Sequence, residues 1–383
     1  MDPIYLDHAA TTPMRAEVRE AMAPYHSEVF GNPSSTHRWG RQAQAALERA
    51  RGRVADALGV ERREVVFVRG GTESDNLALL GRADATRSGQ QTPCIVTSAI
   101  EHKAVLDAAR SVEVDGGRAI VLPVDGSGVV DLDTLDLAFD ASPSLVSVMW
   151  VNNEIGVVQP IEEIVERCRH HGVPVHSDGV QAIGKIPVRL DDVPLDLLSI
   201  SGHKVCGPKS SGALFVRAGT ELHARIHGGG QEGGLRPGTQ DVAGAVGLAE
   251  AVTLAVAEAA SARTHYLELR DRLIDRLRAA LPDLRVHGAG AEVAGHILSV
   301  GIPGLSPEML MISLDMEGLA VSGGSACQSG STSESHVLRA IYGNEAIAAT
   351  IRYSFGRTTT RDEIEEAAER TARVVQKLRV DAI

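Results

Sequence analysis

Aromatic residues are scarce, at 3% of the 383-residue chain. A core of this size must therefore be built mostly from Leu, Val, Ile and Ala. Cysteine is scarce too: Cys94, Cys168, Cys206 and Cys327 lie far apart, and no CxxC pair occurs. That spacing excludes a Cys-rich zinc site or a redox pair and fits a reducing compartment. Positive charge is short. Lys and Arg number 38 against 50 Asp and Glu, for a net charge of −12. An acidic surface of this kind argues against direct binding to nucleic acid or to an anionic membrane. No uninterrupted apolar run reaches the roughly 18–20 residues that span a bilayer. The start, Met1 to His8, has neither signal nor transit character. A cytoplasmic location is the expectation. The scarcest useful residue is lysine: only Lys103, Lys185, Lys204, Lys209 and Lys377 are present. Chemistry that requires an amine has few places to be.

What is present is an alternation of strand and helix patterns. Arg41–Leu58 carries Leu47, Ala50, Val54 and Leu58 on one helical face, stopped by Gly59. Val65–Val68 reads as a strand running into Gly70-Gly71-Thr72, where Thr72-Glu73-Ser74-Asp75 has capping-box spacing. Further strands are expected at Cys94–Thr97, Ala119–Leu122, Leu145–Val151, Val173–His176, Leu195–Ile200 and Gly212–Val216. Pro160 opens a helix striped with Ile161, Ile164, Val165 and Cys168. Apolar strands interleaved with amphipathic helices imply an α/β fold with a mainly parallel sheet covered on both faces. Ligands of such sheets bind at the carboxyl ends of the strands. A long Ala- and Leu-rich helix, Ala243–Leu281, then leads to a second domain over about 260–383, with strands near His296–Val300 and Ile351–Ser354.

Several motifs follow strands. Ser201-Gly202-His203-Lys204 presents an amine among small polar groups, as Schiff-base chemistry on a phosphorylated aldehyde requires. Alone, such a lysine is more often a plain surface residue. Asp178 lies 26 residues earlier, in His176-Ser177-Asp178-Gly179. A carboxylate there would keep a pyridine nitrogen protonated; alone it would read as a turn former. Gly70-Gly71-Thr72 at a helix start would suit an anion, as would any ordinary cap. His102 could stack on a planar group or shuttle a proton, although a lone histidine is more often structural. Arg352 between strand residues could hold a carboxylate bidentately or form an ordinary ion pair. Cys327 lies in the Ser- and Gly-rich stretch Ser322–Ser335 and is the best candidate for a nucleophilic thiol. Cys168, on an apolar stripe, reads as structural. His170 and His171 point about 100° apart on a helix, so no metal site is expected beside Cys168.

Together these motifs resemble the cysteine desulfurases of the NifS/IscS type, in the class V aminotransferase group of fold-type I pyridoxal phosphate (PLP) enzymes. The resemblance runs from Tyr5-Leu6-Asp7-His8 to about Arg357. It includes Gly71-Thr72-Glu73-Ser74, Glu101-His102, Asn152-Asn153-Glu154, Asp178 with Gln181, Ser201–Lys204, Arg236-Pro237-Gly238-Thr239 and Ser325-Ala326-Cys327. It implies a seven-stranded, mainly parallel sheet in a large PLP-binding domain over 13–258. It also implies a smaller α+β domain, from 1–12 and 259–383, that carries the cysteine loop. Lys204 would be the Schiff-base lysine, Asp178 the partner of the ring nitrogen and Gln181 that of the phenolic oxygen, with His102 stacked on the ring. Gly71, Thr72, Ser201 and His203 would hold the phosphate. Thr239 would reach the site of a partner subunit in a homodimer. Asn153, which also touches the cofactor, and Arg352 would hold the carboxylate of L-cysteine. Cys327 would take the sulfur as a persulfide.

The long Ser/Gly loop looks like the first group of the family, whose members pass sulfur to an acceptor protein. The resemblance leaves open an iron–sulfur scaffold, a tRNA-thiolation partner or a DNA-phosphorothioation partner. The chain ends soon after Leu378, without the longer tail many iron–sulfur members use, which is unexpected for a standard scaffold partner. A class V aminotransferase or selenocysteine lyase would share Lys204 and Asp178 but would not need Cys327. A non-catalytic sulfur-handling protein would lack the yellow chromophore.

Overall fold

The computed structural model describes residues 2–323, 335–343 and 348–381. A short strand, β1 (Ile4–Tyr5), comes first and pairs far along the chain. The next seven are β2 (Val65–Val68), β3 (Cys94–Ser98), β4 (Arg118–Leu122), β5 (Leu145–Ser147), β6 (Val175–Asp178), β7 (Leu197–Ser201) and β8 (Gly212–Val216). They form one sheet in the order β2-β8-β7-β6-β5-β3-β4. Only β8 runs against the others. Side chains alternate between its faces: Val65 and Phe67 join one apolar cluster, Val66 and Val68 another. Both faces are therefore buried, as parallel sheets require.

The helices are α1 (Ala16–Met22), α2 (Arg38–Leu58), α3 (Gly71–Ser88), α4 (Lys103–Val114), α5 (Leu132–Ala138), α6 (Ile161–His170), α7 (Val242–Ala280), α8 (Pro307–Met316), α9 (His336–Tyr342) and α10 (Arg361–Asp381). α7 belongs to both halves of the molecule. Its Leu248 and Val252 lie in the core of the large sheet, its Leu273 and Leu277 in a second core. That second core underlies an antiparallel sheet of β9 (Arg285–Val286), β10 (Ile297–Ile302) and β12 (Ala349–Ser354), while β11 (Leu319–Ala320) pairs with β1. By length and composition α7 could cross a membrane. Here it is a core helix, packed against α1, α2 and α10.

Two expectations need correction. The stretch Leu145–Val151 is a regular strand only to Ser147; beyond it the Val148 and Trp150 N–H groups still donate to the His176 and Asp178 carbonyls, at 3.1 and 3.0 Å, while Met149 and Val151 line the cavity described below. Thr72 does not cap α3. The helix starts at Gly71, its N-cap is Gly70, and no side chain caps it. Glu73 Oε2 instead accepts from the Arg69 N–H at 2.6 Å, and Asp75 is buried. The spacing was that of a capping box, but the acid three residues on is drawn into a polar interior.

Candidate active site

The carboxyl ends of β2, β3, β5, β6 and β7 open on one cavity of about 300 Å³. Gly71, Thr72, His102, Asn153, Asp178, Gln181, Ser201, His203, Lys204 and Arg352 all line it. Residues spread over 280 positions are thus brought together, most by the strand ends of the large sheet and Arg352 by β12 of the second sheet. Thr239 does not line it and is exposed. Cys327 lies outside the described residues.

At one end the uncapped start of α3 presents free N–H groups beside Thr72, Ser201 and His203. Gly70 has φ +136°, and a Cβ on Gly71 would sit 2.9 Å from Val180 Cγ2, so side chains are excluded where the backbone must be approached. His203 Nδ1 is 3.1 Å from Thr11 Oγ1. Burial, helped by Lys204 and Lys209, holds the His203 pKa down at about 4, so the ring is neutral at pH 7. An N–H-rich helix start with hydroxyls is an anion site.

At the other end Asp178 closes β6 and accepts the Val180 N–H at 2.9 Å. Burial pushes its pKa up, opposed by His102, that N–H and Lys204. Between the two ends, Lys204 Nζ donates to the Ala9 and Ala10 carbonyls at 2.5 and 2.9 Å. His102 is the N-cap of α4: its Nδ1 accepts the Ala104 N–H at 3.1 Å, which leaves Nε2 to carry the proton. Gln181 Nε2 donates to Ala9 O at 3.0 Å, and its Oε1 is 3.0 Å from His296 Nε2. Arg352 is buried; Nη1 donates to Asn153 O and Nη2 to Asp7 Oδ1, both at 2.9 Å.

Asn152 and Asn153 divide their work. Asn152 is buried and ties its amide to Ile100 O and to the Glu154 and Ile155 N–H groups, while Asn153 faces the cavity. The other cysteines do not line the cavity. Burial pushes the Cys168 thiol up to about 12, which keeps it inert. His171 stacks on Phe139 with centroids 4.0 Å apart. The sequence reading missed Asp75, His336 and the Ala9 and Ala10 carbonyls, which also line the cavity. It also missed the role of Glu101, buried just behind.

An amine between an anion cradle and a buried carboxylate is the donor set that suits PLP. The aldehyde would meet Lys204, the phosphate the start of α3, and the ring nitrogen Asp178. Fold and site thus define a PLP-dependent enzyme of fold-type I, and residues 4–366 match the class V aminotransferase family. The chain belongs to that family.

Within it, the chain belongs with the cysteine desulfurases. It is 41% identical over 377 residues to the cysteine desulfurase IscS of Dictyoglomus turgidum, covering 98% of this chain and 95% of that protein. Its fold is similar to that of a NifS-like protein, with TM-score 0.91, 35% identity, and 98% and 100% of the two chains covered. It is also similar to SspA in complex with cysteine, with TM-score 0.79, 35% identity, and 92% and 98% covered.

Proposed function

We propose that this PLP-dependent cysteine desulfurase moves sulfur from L-cysteine to Cys327 and then to an acceptor protein. One observation carries the reading: both ends of the segment that holds Cys327 are fixed at the cavity wall. On one side Ser322 exchanges backbone hydrogen bonds with Arg352, at 3.2 and 2.7 Å. On the other, Ser335 Oγ donates to Glu154 Oε2 at 2.5 Å, and His336, which lines the cavity, is 2.8 Å from Glu101 O through Nε2. Cys327 is four residues beyond Gly323.

PLP, when bound, supplies an electron sink conjugated to the substrate α-carbon. The chain's own residues supply the rest. Arg352 and Asn153 hold the substrate carboxylate, and Lys204 takes the α-proton. His102 offers its Nε2 proton to the face of the site. The Cys327 thiolate attacks the substrate sulfur: an S–S bond forms, the C–S bond breaks, and L-alanine leaves with the protons balanced. The net change is L-cysteine plus a Cys327 thiol giving L-alanine plus a Cys327 persulfide. The cysteine held by SspA supports this choice of substrate. An exposed Thr239 next to Gly238 (φ +110°) supports a homodimer in which it completes the partner's site. A reducing cytoplasm would keep the thiol free. The acceptor is a protein of iron–sulfur assembly, tRNA thiolation or DNA phosphorothioation.

Mass spectrometry after L-cysteine treatment is expected to show one added sulfur on Cys327. Alanine formation with Cys327 unmodified would overturn the reading in favour of a selenocysteine-lyase-like route that does not need this thiol. A second expectation concerns Arg352→Lys, which keeps the charge but loses the planar fork. KM for L-cysteine should rise roughly 10- to 100-fold, since charge-assisted bonds are worth about 1.5–3 kcal/mol. An unchanged KM would place the carboxylate elsewhere.

A further inference from the structure

Three carboxyl groups meet at the ring-nitrogen end of the cavity. Asp75, on the second turn of α3, is 1% exposed, Glu101, after β3, is 0%, and Asp178 is 7%. Glu101 Oε1 accepts from Ser98 Oγ at 2.5 Å and from the Met149 N–H at 2.9 Å. Its Oε2, like Asp75 Oδ1, is buried and has no hydrogen-bond partner among the described residues. His176 Nε2 lies 3.6 Å from Asp75 Oδ1. It does not supply a countercharge. The ring nitrogens face Ser147 Oγ at 2.8 Å and Ser199 Oγ at 3.0 Å, and burial holds the histidine pKa down at about 3. The cation that acts on this cluster, Lys204, favours ionised Asp178. Burial dominates at Asp75 and Glu101; neighbouring carboxylates add to it, and the hydrogen bonds from Ser199 to Asp75 and from Ser98 and Met149 to Glu101 oppose it.

We propose that Asp75 and Glu101 each carry a proton in the folded enzyme and are positioning residues: by staying neutral, they leave Asp178 as the single anion facing the cofactor ring. This rests on the reading of Asp178 as the ring-nitrogen partner. Like charges in one buried pocket cannot all ionise, and an unpartnered carboxylate oxygen costs more when charged than when neutral. Asp178 keeps the charge because the Lys204 cation acts on it and the Val180 N–H donates to it. Burial pushes Glu101 up to about 8 and Asp75 well above its ordinary value, both in the direction of the neutral acid.

The test uses Glu101→Gln and Asp75→Asn, uncharged and nearly isosteric, in urea unfolding of the full chain from pH 5 to 8. Unfolded glutamate ionises above its ordinary 4.5, whereas folded Glu101 keeps its proton to about 8. Wild type therefore takes up a proton on folding, and its stability falls as pH rises through that window. The ratio of folding constants, Glu101→Gln over wild type, should climb close to tenfold per pH unit and level off near pH 8. Asp75→Asn should climb likewise. Infrared spectra of the wild type at pH 7 should show the carbonyl stretch of protonated carboxylic acids, and each variant should remove one component. A pH-independent stability gap, or no such stretch in the wild type, overturns the proposal. Neither measurement needs the cofactor, so failure here is separable from failure of the Asp178 assignment.

Discussion

Lys204→Ala should yield a colourless protein whose alanine production from L-cysteine falls by about 10⁴-fold, the upper range for removing a positioned acid–base group. The lysine does two jobs at one atom. Its amine bonds the cofactor aldehyde covalently, and once substrate displaces it, that amine is free to take the α-proton. Its place in the cavity is set by the turn after β7 and by the Ala9 and Ala10 carbonyls, which hold Nζ where no water is needed to satisfy it. Neighbouring amines offer no substitute. Lys185 is buried with Nζ over the Tyr266 ring, 5.5 Å from its centroid, and Lys103, though it lines the cavity, is the first residue of α4. Borohydride reduction followed by peptide mapping reads the result directly. Wild type should carry the cofactor on the Lys204 peptide, and the variant on none. A yellow, reducible variant would show that another amine holds the aldehyde.

How far this site could be read from the chain depends on the range of the interaction. Lys204 stood out because lysine is rare and follows a strand, and strand ends are local features. The strands Val65–Val68 and Gly212–Val216 fall where their apolar runs place them, because fully buried strands carry uninterrupted β-branched and apolar residues. Helix starts were harder. α2 begins at Arg38, capped by the His37 ring, and histidine is not an expected N-cap. Asp75 was misread for a related reason. Spacing alone cannot tell a carboxylate that turns back to cap a helix from one that points into a polar interior. His296 was invisible as a site neighbour because it reaches Gln181 across 115 residues and two sheets. The Ala9 and Ala10 carbonyls have no side-chain signature at all. Their role depends on the N-terminal segment crossing to the turn after β7, where Thr12 Oγ1 donates to His203 O at 2.7 Å. The expectation for Cys327 falls outside the described residues and rests on how the chain on either side is anchored.

Asp178→Asn is the second large effect. Asparagine has nearly the same shape and can keep the Val180 N–H bond through its carbonyl oxygen, so the fold and the Lys204 chromophore should survive. What is lost is the charge that keeps the cofactor's ring nitrogen protonated, and without that proton the ring is a poor sink for the electrons left when Lys204 removes the α-proton. The interaction matters more at the transition state than in the bound ground state, so the loss should appear in kcat rather than in KM. A fall of about 10³-fold corresponds to roughly 4 kcal/mol of barrier, a plausible value for an ion pair in a water-excluded pocket. No nearby group can take over. His176 is neutral, and Asp75 and Glu101 are pushed by burial toward their protonated forms. The same variant separates charge from packing. If kcat stays within threefold of wild type while Asp178→Ala is inactive, the side chain matters for its shape, and the ring nitrogen must be held protonated by another group. If kcat falls as expected and the absorbance of the bound cofactor shifts with it, the carboxylate at the end of β6 sets the electronics of the reaction.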